Sequence, residues 1–489
     1  MMKKILQQFK IHPVGQGFFY SGSVQYRMHD YYTRSFLFVF DCGSEQRRNC
    51  LEEVDKFKDE AWPVSETLDL LVISHFHSDH INCIRALLDG RRVRRIVAPF
   101  VNYADRLVLA LIYRNSAMYS PGDPDSDFTL EFILDPVTVL GPFLSEGGEF
   151  VFMQSGEVLP FEPFTGSELP QEDSNQEFDF SLRFSGRFRD ITASDAKELR
   201  CFQTSRIKTA RDNSPAFCSL GRTDIMEFLF YRKPVSDNEE AFYHTVYYLF
   251  AKRFPRVNTP DKSSADHILQ ILRERAITRV ITDIIRKACQ AHPGLNASVS
   301  QITNLNTTSL SMLHYNQVSI YDIFPRNHAL DNAYCHSSIL KKLDGTNRVI
   351  CEAPLVYDCG YYLYHHQHYY NFPFDPNRKF PNTMLTSDGF LHSEQDIALF
   401  YKKFQHYWNK FWLFQLPHHG SKYNADKALL SRLSFDIFLF ANFGVKNKHD
   451  HPSNELINNV ILTRHSDKLL EINEYTGLFF GLQIDSYDL

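Results

Sequence analysis

Three imidazoles and one carboxylate fall within six consecutive positions of the chain, at His75, His77, Asp79 and His80. On an extended segment, His75 and His77 point in the same direction and can share one ion, while Asp79 and His80 turn into the following helix and face a neighbouring ion. Imidazole nitrogens and carboxylate oxygens suit both Zn2+ and Mn2+. The spacing therefore predicts a centre for one or two Zn2+ ions, with Mn2+ as the alternative metal.

The sequence on either side of this cluster argues for a metal centre. The alternative is a polar surface loop or a set of separate core histidines. An almost continuous apolar run at residues 68–74 predicts a buried strand, and apolar residues with helical spacing follow at 81–88. The cluster is therefore expected at the carboxyl end of a strand, directly before a helix.

Several other polar residues follow apolar runs. Asp41 follows the run at residues 38–40, and a second aspartate, Asp388, comes soon after the predicted strand at 383–386. Two adjacent histidines, His418 and His419, follow the predicted strand at 411–416, and His451 comes after the one at 435–440. These positions place candidate ligands in both halves of the chain.

The pattern at residues 75–80 resembles the H-x-H-x-D-H signature of the metallo-β-lactamase fold, and the other motifs resemble one branch of that family. This branch is related to the soluble domain of ComEC-type DNA-uptake proteins. Its motifs read V-G-Q-G-D, N-x-x-S-L, L-L-T-G-D, H-H-G-S and G-H-P. The matching residues, in the same order, are 14–17, 306–310, 384–389, 418–421 and 451–452.

The resemblance implies an α/β fold of the αββα sandwich type and a set of roles. His75, His77, Asp79 and His80 would be primary metal ligands, with Asp79 also a candidate proton acceptor. Asp388 would bridge both metals, and His419 would be a ligand from the opposite half. Asp41 would orient the ligands without binding a metal itself. His418 and His451, two candidate catalytic residues, would contact a phosphoryl oxygen.

The chain departs from the family pattern at four places. Phe18 stands where an acidic residue is usual, Ser387 replaces a glycine, and Asp450 replaces the glycine before His451. No clear counterpart exists for the separate histidine that many members supply between the first cluster and the bridging aspartate. The resemblance therefore leaves one ligand of the centre unidentified.

The apolar patterning suggests three segments. Residues 1–102 and 294–489 are β-rich and are interpreted as the two halves of the sandwich, the second with an aromatic-rich insertion near 361–380. Residues 103–293 are interpreted as a partly helical insertion, with helices expected at 237–253 and 263–291. The metal ligands then come from segments that are distant in sequence.

Composition limits the location and the partners. The formal net charge of −6 gives no bulk attraction for nucleic acid, so any such binding needs a local patch. Nine cysteines without paired C-x-x-C spacing indicate reduced thiols, and no apolar run of about 18 residues predicts a membrane span. A cytoplasmic protein that does not enter a membrane is expected, and no protein partner is predicted.

The ComEC-type resemblance favours hydrolysis of a phosphodiester in nucleic acid or a nucleotide by a metal-activated hydroxide, in a role that by analogy could concern defence. Four guanidinium groups soon after the cluster are candidates for phosphate contacts: Arg91, Arg92, Arg94 and Arg95. They could equally be a solvated strand edge. Two other functions stay open, namely a metallohydrolase of a non-phosphate ester, thioester or amide, and a non-catalytic scaffold that retains the fold.

Overall fold

The structure is a computed structural model of the 489-residue chain. It describes residues 2–28, 32–62, 66–116, 118–155, 160–161, 179–185, 188–199, 206–211, 214–221, 223–235, 237–258, 262–292, 309–317, 335–344, 349–358, 381–463, 465 and 468–487. The acidic stretch at 168–177 and the aromatic-rich stretch at 361–380 lie outside these residues.

Within the described residues, the strands form two mixed sheets. In chain order they are β1 Met2–Ile11, β2 Gly17–Met28, β3 Tyr32–Ser44, β4 Leu68–Val72, β5 Val93–Pro99, β6 Leu144–Gln154, β7 Phe180–Phe184, β8 Arg189–Asp190, β9 Ile207–Arg211, β10 Ala216–Leu220, β11 Thr223–Arg232, β12 Leu310–Asn316, β13 Cys335–Asp344, β14 Val349–Asp358, β15 Thr383–Leu385, β16 Leu413–Gln415, β17 Phe438–Asn442, β18 Leu469–Ile472 and β19 Thr476–Tyr487.

The helices lie between and after these strands. They are α1 Arg47–Glu60, α2 Ser78–Ile81, α3 Ile84–Leu88, α4 Tyr103–Asn115, α5 Pro124–Leu134, α6 Pro136–Leu140, α7 Ala193–Leu199, α8 Asp237–Arg253, α9 Lys262–Arg273, α10 Ile277–Ala291, α11 Glu394–Lys403, α12 Lys427–Arg432 and α13 Asn454–Leu462. Among the described residues, no helix combines the length and the apolar character that crossing a membrane requires.

The first sheet has the strand order β14-β13-β19-β1-β2-β3-β4-β5-β6-β9-β8, and the second has β18-β17-β16-β15-β12-β11-β10-β7. Strands β3 to β6 run parallel to one another, as do β15 to β18. The carboxyl ends of parallel neighbours meet at one edge of a sheet. Each sheet therefore has an edge at which several connecting loops converge.

Three buried clusters separate four layers. Apolar residues of both sheets, such as Phe38 in β3 and Phe228 in β11, pack against each other in the central cluster. A second cluster lies between the first sheet and helices that include α1, α4 and α8, and a third lies between the second sheet and α11 to α13. The arrangement is helices, sheet, sheet, helices, which confirms the α/β class expected from the sequence.

The middle segment of the chain is part of both sheets. Strand β6 pairs in parallel with β5, and β11 pairs with β12, so residues after 102 extend the first sheet and build the second. The expected division at residue 102 therefore does not separate a β-rich core from an insertion. The described helices of this segment, α4 to α10, lie outside the sheets and pack apolar side chains into the cluster that covers the first sheet.

The helical predictions are reproduced with one difference. Helix α8 has the predicted bounds, whereas the single helix expected at 263–291 is two helices, α9 and α10. Arg114 of α4 donates to the carbonyl oxygens of Leu272 at 2.5 Å and Glu274 at 3.1 Å. These contacts satisfy carbonyls at the end of α9, as a helix terminus requires.

Candidate metal centre

The first ligand cluster lies where the sequence predicted it. His75 follows β4, while Asp79 and His80 lie in the short helix α2. The side chains of His75, Asp79 and His80 are buried, and the side chain of His77 is 19% exposed. The apolar strand β4 packs in the interior and delivers these polar groups to the carboxyl edge of the first sheet.

The second half of the chain brings its candidates to the same place. Asp388 follows β15, and His418 and His419 lie in the 3-10 turn His418–Gly420 after β16. Contacts across the two halves join His75 Nε2 to Asp388 Oδ2 at 3.5 Å and His419 Nε2 to Asp79 Oδ2 at 3.3 Å. Residues more than three hundred positions apart therefore form one site.

The described residues form three groups of potential ligand atoms, of which one joins Asp41 to His75 and His80 and the other two lie around the carboxylate of Asp388. Of these two, the first group is His75, His77 and Asp388, and the second group is Asp79, His80 and His419; within each, the ligand atoms lie within 4.8 Å of one another. Asp388 Oδ1 is also 3.3 Å from His80 Nε2 and 3.7 Å from His419 Nε2. Asp388 thus lies between the groups, with one oxygen facing each.

Hydrogen bonds fix the direction of four imidazoles. The Nδ1 atoms of these histidines each lie at hydrogen-bond distance from an oxygen outside the centre: His75 from Ser74 Oγ at 2.9 Å, His80 from Asp41 Oδ2 at 2.8 Å, His418 from Asn424 Oδ1 at 2.9 Å and His419 from the Asn442 carbonyl at 2.8 Å. When Nδ1–H donates to such an oxygen, Nε2 of a neutral ring presents a lone pair on the other side. All four rings are thereby oriented as metal ligands.

Unpaired buried atoms provide a test of whether a metal fits. Among the residues that the structure describes, five buried atoms of the centre make no well-formed hydrogen bond: His75 Nε2, His77 Nδ1, Asp79 Oδ1, His80 Nε2 and Asp388 Oδ2. They face one another at ion-pair distances, with His77 Nδ1 2.8 Å from Asp79 Oδ1 and His75 Nε2 3.5 Å from Asp388 Oδ2. Leaving a buried polar atom unpaired is costly, and such atoms call for an explanation. Coordination of one or two cations by these nitrogen and oxygen atoms supplies it.

A chain of hydroxyl groups connects both halves behind the ligands. Asp41 accepts hydrogen bonds from the backbone N–H of Ser74 at 2.7 Å and from the Ser74 hydroxyl at 2.5 Å. The Ser74 oxygen lies 2.7 Å from the hydroxyl of Ser387. One buried carboxylate therefore orients His80 directly and His75 through Ser74, and Ser387 connects this network to the neighbour of Asp388.

The backbone is left-handed at several of these positions. Asp41, Ser387, His418 and His419 have φ values of 56°, 50°, 49° and 57°. Residues other than glycine adopt this region rarely, and strained residues cluster at functional sites. Here the left-handed backbone turns side chains at strand ends into the centre.

Two glycines allow α2 to approach the first sheet closely. A Cβ atom on Gly43 would lie 2.6 Å from the backbone nitrogen of Ile81, and one on Gly17 would lie 2.6 Å from the carbonyl oxygen of Asp79. Gly17 also has a φ of 137°, which side-chain-bearing residues rarely adopt. Gly17 of the motif at 14–17 and Gly43, two residues after Asp41, therefore make room for the helix that carries Asp79 and His80.

The centre attracts positive charge. Burial opposes ionisation of the carboxyl groups of Asp79 and Asp388, but the surrounding imidazoles outweigh it and hold both pKa values well below the ordinary range. Burial would likewise lower the pKa of His80, yet the carboxylates of Asp388, Asp79 and Asp41 raise it well above its usual value. A divalent cation would displace that proton from the same surroundings.

His451 lies beside the two groups without joining either. Its ring centroid is 5.3 Å from that of His418, and its Nδ1 is 3.4 Å from the side-chain amide of Gln16. Burial, with the neighbouring His418 and His419, lowers the pKa of His451 to about 3, so the ring is neutral at physiological pH. The structure therefore places His451 next to the centre, with a side-chain contact to the motif at 14–17.

The four guanidinium groups at 91–95 are far from the centre. Strands β4 and β5 are parallel, and Val93 pairs with Leu68, so this end of β5 lies at the opposite edge of the sheet from His75. Four residues of strand alone span about 13 Å. Their partners are also local, because Arg91 lies over Trp62, Arg92 donates to the Arg91 carbonyl, Arg94 pairs with Asp69 and Arg95 pairs with Glu149. The predicted role of these arginines in binding substrate at the centre is corrected accordingly.

Three residues that orient the ligands were not identified from sequence. Ser74, Asn424 and Asn442 accept hydrogen bonds from ligand imidazoles, and each acts through one oxygen atom. Serine and asparagine are common in loops, and a contact through a single oxygen atom produces no recognisable pattern in the sequence. For Ser74 and Asn442, the position next to a strand end was the only indication available. Of the motif at 306–310, the described residues show Leu310 donating from its backbone N–H to the carbonyl of Ser74 at 2.7 Å.

A comparison of the chain with models of known protein families finds no match, and neither does a search of curated proteins.

Proposed function

We propose that this chain is a metal-dependent hydrolase with the metallo-β-lactamase αββα sandwich fold, and that it cleaves phosphodiesters in nucleic acid or nucleotides. One observation carries the proposal. In four histidines, Nδ1 lies at hydrogen-bond distance from an oxygen outside the centre, so Nε2 faces the centre. The buried carboxyl groups of Asp79 and Asp388, whose pKa values are held well below the ordinary range, lie on that side. Such a donor set suits Zn2+ or Mn2+ and has no comparable use in a purely structural core.

The layer order supports the proposed fold. Two sheets face each other, helices cover both outer faces, and the candidate ligands lie at the carboxyl ends of β4, β15 and β16. The order of the motifs along the chain agrees with this arrangement, because the two halves of the site come from the two ends of the sequence. The family assignment rests on these two features together.

In the proposed reaction, the two groups hold the cations and the open side admits the substrate. Bound divalent metals would lower the pKa of a water molecule and polarise the scissile phosphorus–oxygen bond. Asp79 and Asp388 contribute the negative charge that retains the cations, and Asp79 Oδ1 can accept a proton from the attacking water. The substrate enters beside His77 and His418, the two ligand candidates with partly exposed side chains, at 19% and 17%.

The choice of a phosphodiester rests on the resemblance to ComEC-type proteins. The arginines at 91–95 no longer support it, since they lie at the other edge of the first sheet. Exposed lysines close in sequence to residues of the centre, Lys422 after His418–Gly420 and Lys446 and Lys448 before His451, are candidates for phosphate contacts instead.

Substrate profiling tests the proposal. The full chain, loaded with Zn2+ or Mn2+, is incubated with single-stranded DNA, double-stranded DNA, RNA and a cyclic dinucleotide, and in parallel with ester, thioester and amide substrates. Hydrolysis of a phosphodiester that a chelator abolishes is the expected result. Turnover confined to the ester, thioester or amide substrates would reject the phosphodiester, and no turnover by a metal-loaded chain would reject the hydrolase.

A further inference from the structure

The first group of potential metal ligands, around His75 and His77, has fewer donor residues than the second group, around Asp79 and His80. The second group consists of Asp79, His80 and His419, and the two histidines face Oδ1 of Asp388, which gives this group four donors. The first group consists of His75, His77 and Asp388 alone. Among the described residues between His80 and Asp388, none joins a group of potential ligands. The sequence likewise shows no clear counterpart there of the separate histidine that many members of the family supply.

His418 lies on the side of the first group. Its Nε2 is 3.6 Å from Asp388 Oδ2, the same oxygen that lies 3.5 Å from His75 Nε2. The side chain of His418 is 17% exposed, similar to that of His77 in the same group. The ring therefore borders the first group at its open side.

Asn424 fixes the orientation of the His418 ring. The amide nitrogen of Asn424 donates to the carbonyl oxygens of Asp388 at 3.1 Å and Gly389 at 3.3 Å, which assigns the other amide atom as oxygen. That oxygen lies 2.9 Å from His418 Nδ1 and accepts a hydrogen bond from Nδ1–H. The Nε2 atom then carries a lone pair, so it can bind a cation and cannot donate a hydrogen bond while the ring is neutral.

The backbone explains how adjacent residues can serve different groups. Both His418 and His419 are left-handed, with φ values of 49° and 57°, and the side chains diverge: Nε2 of His418 approaches Oδ2 of Asp388, while Nε2 of His419 approaches Oδ1. Two consecutive left-handed residues that are not glycine are costly. A requirement for both imidazoles accounts for that cost.

We propose that His418 is the fourth ligand of the first group, a place for which the described residues between His80 and Asp388 offer no candidate. His418 and His419 then each complete one site of a pair, with Asp388 shared, and a transition metal such as Zn2+ or Mn2+ is the ligand. This inference rests on the proposed function in requiring that metals bind, and it replaces the expectation that His418 donates to a phosphoryl oxygen.

The test measures metal binding by the full chain. Protein treated with a chelator is titrated with Zn2+ by calorimetry, and bound metal is counted by elemental analysis after desalting. His418→Asn is the informative variant, because asparagine tolerates the left-handed backbone better than most residues but is too short to replace the imidazole. Since loss of an outer hydrogen-bond partner already weakens metal binding 10–100-fold, loss of a direct ligand should weaken one of two ions by more than about 100-fold.

Combined variants identify which ion is lost. His418→Asn together with His75→Ala should still retain one ion, because both residues serve the first group, whereas His418→Asn with His419→Asn should retain none. His451→Ala is the matched control and should retain both ions. Circular dichroism and thermal unfolding establish that each variant is folded.

If His418→Asn binds two ions with the wild-type affinity, the inference is overturned, and a fall in hydrolysis by that variant would then assign His418 to the reaction itself. A wild-type chain that binds no metal under these conditions contradicts the proposed function instead. The two failures are therefore distinguishable.

Discussion

At the scale of single residues, the direction of each imidazole matters more than its presence. The sequence indicated the ligand types because H-x-H-x-D-H is dense in donors, but it could not indicate which nitrogen faces the centre. That depends on oxygens that Ser74, Asn424 and Asn442 present from loops distant in sequence. The metal-ligand role of His418 follows from such a contact and not from the motif itself.

Removal of a ligand should abolish activity while leaving the fold intact. We expect His77→Ala and Asp79→Ala to lower hydrolysis by several orders of magnitude, because each removes a donor from one group, and to reduce bound metal. Steady-state rates, elemental analysis and circular dichroism measure these effects. Wild-type rates in either variant would contradict the assignment of that residue.

Two substitutions at Ser387 distinguish the effect of backbone strain from that of the lost hydrogen bond. Both Ser387→Gly and Ser387→Ala remove the hydroxyl that lies 2.7 Å from Ser74 Oγ, but only glycine relieves the left-handed φ of 50°. We therefore expect Ser387→Ala to be less stable to urea than Ser387→Gly by about 1–2 kcal/mol. The metal affinities of the two variants should fall equally. Equal stabilities would show that this backbone position is not strained.

At the scale of elements, apolar patterning identified most strands near the site but not their registers. Residues 68–74 and 383–386 were predicted as strands that end at ligands, and β4 and β15 lie there. Strand β5 begins within residues 91–95, at the end of the sheet opposite the centre. This position follows only from the parallel pairing of β4 with β5. That pairing joins segments with a helical region between them, which local periodicity does not encode.

The position of the arginines gives a prediction at this scale. Arg92 is exposed at the edge of the first sheet opposite the centre, where it donates to the carbonyl of Arg91. We expect Arg92→Ala to leave hydrolysis and the affinity for a fluorescent oligonucleotide unchanged. Anisotropy titrations at two salt concentrations measure the binding. A weaker affinity with a shallower salt dependence would show that nucleic acid extends to this edge.

At the scale of the whole molecule, the two sheets must be held face to face for the halves of the centre to meet. The order of motifs predicted two contributing halves, but the middle segment was expected to stand apart as an insertion. Its strands instead alternate apolar residues on the buried faces and complete both sheets. Turns and polar stretches, such as the one at 168–177, interrupt the apolar patterning of this segment, so its strands were not predicted as part of the sheets.

A buried histidine between the sheets makes stability depend on pH. Tyr20 of the first sheet donates to Nε2 of His314 in the second at 2.6 Å, and the ring of His314 stacks on Phe9. Burial lowers the pKa of His314 to about 3. Below the ordinary pKa of about 6.5, the unfolded chain binds a proton that the folded chain does not, so stability falls as the pH falls from 6.5 towards 3.

The size of this effect can be measured with one substitution. Between pH 7 and pH 5, His314 alone should cost about 2 kcal/mol of unfolding free energy. We expect His314→Phe to lose that much less stability over the same interval, even though loss of the Tyr20–His314 hydrogen bond lowers its stability at pH 7. Urea unfolding at both pH values gives the difference. An unchanged pH dependence would mean that His314 is accessible to protons in the folded chain.

The central claim is that the two halves of the chain assemble a metal centre around Asp388, and metal stoichiometry tests it most directly. The full chain is stripped with a chelator, reconstituted with Zn2+ or Mn2+, desalted and examined by elemental analysis beside an Asp388→Asn variant. We expect two ions per wild-type chain and a clear loss of bound metal in the variant, since Asp388 faces both groups. A folded wild-type chain that retains no metal after reconstitution would contradict the account.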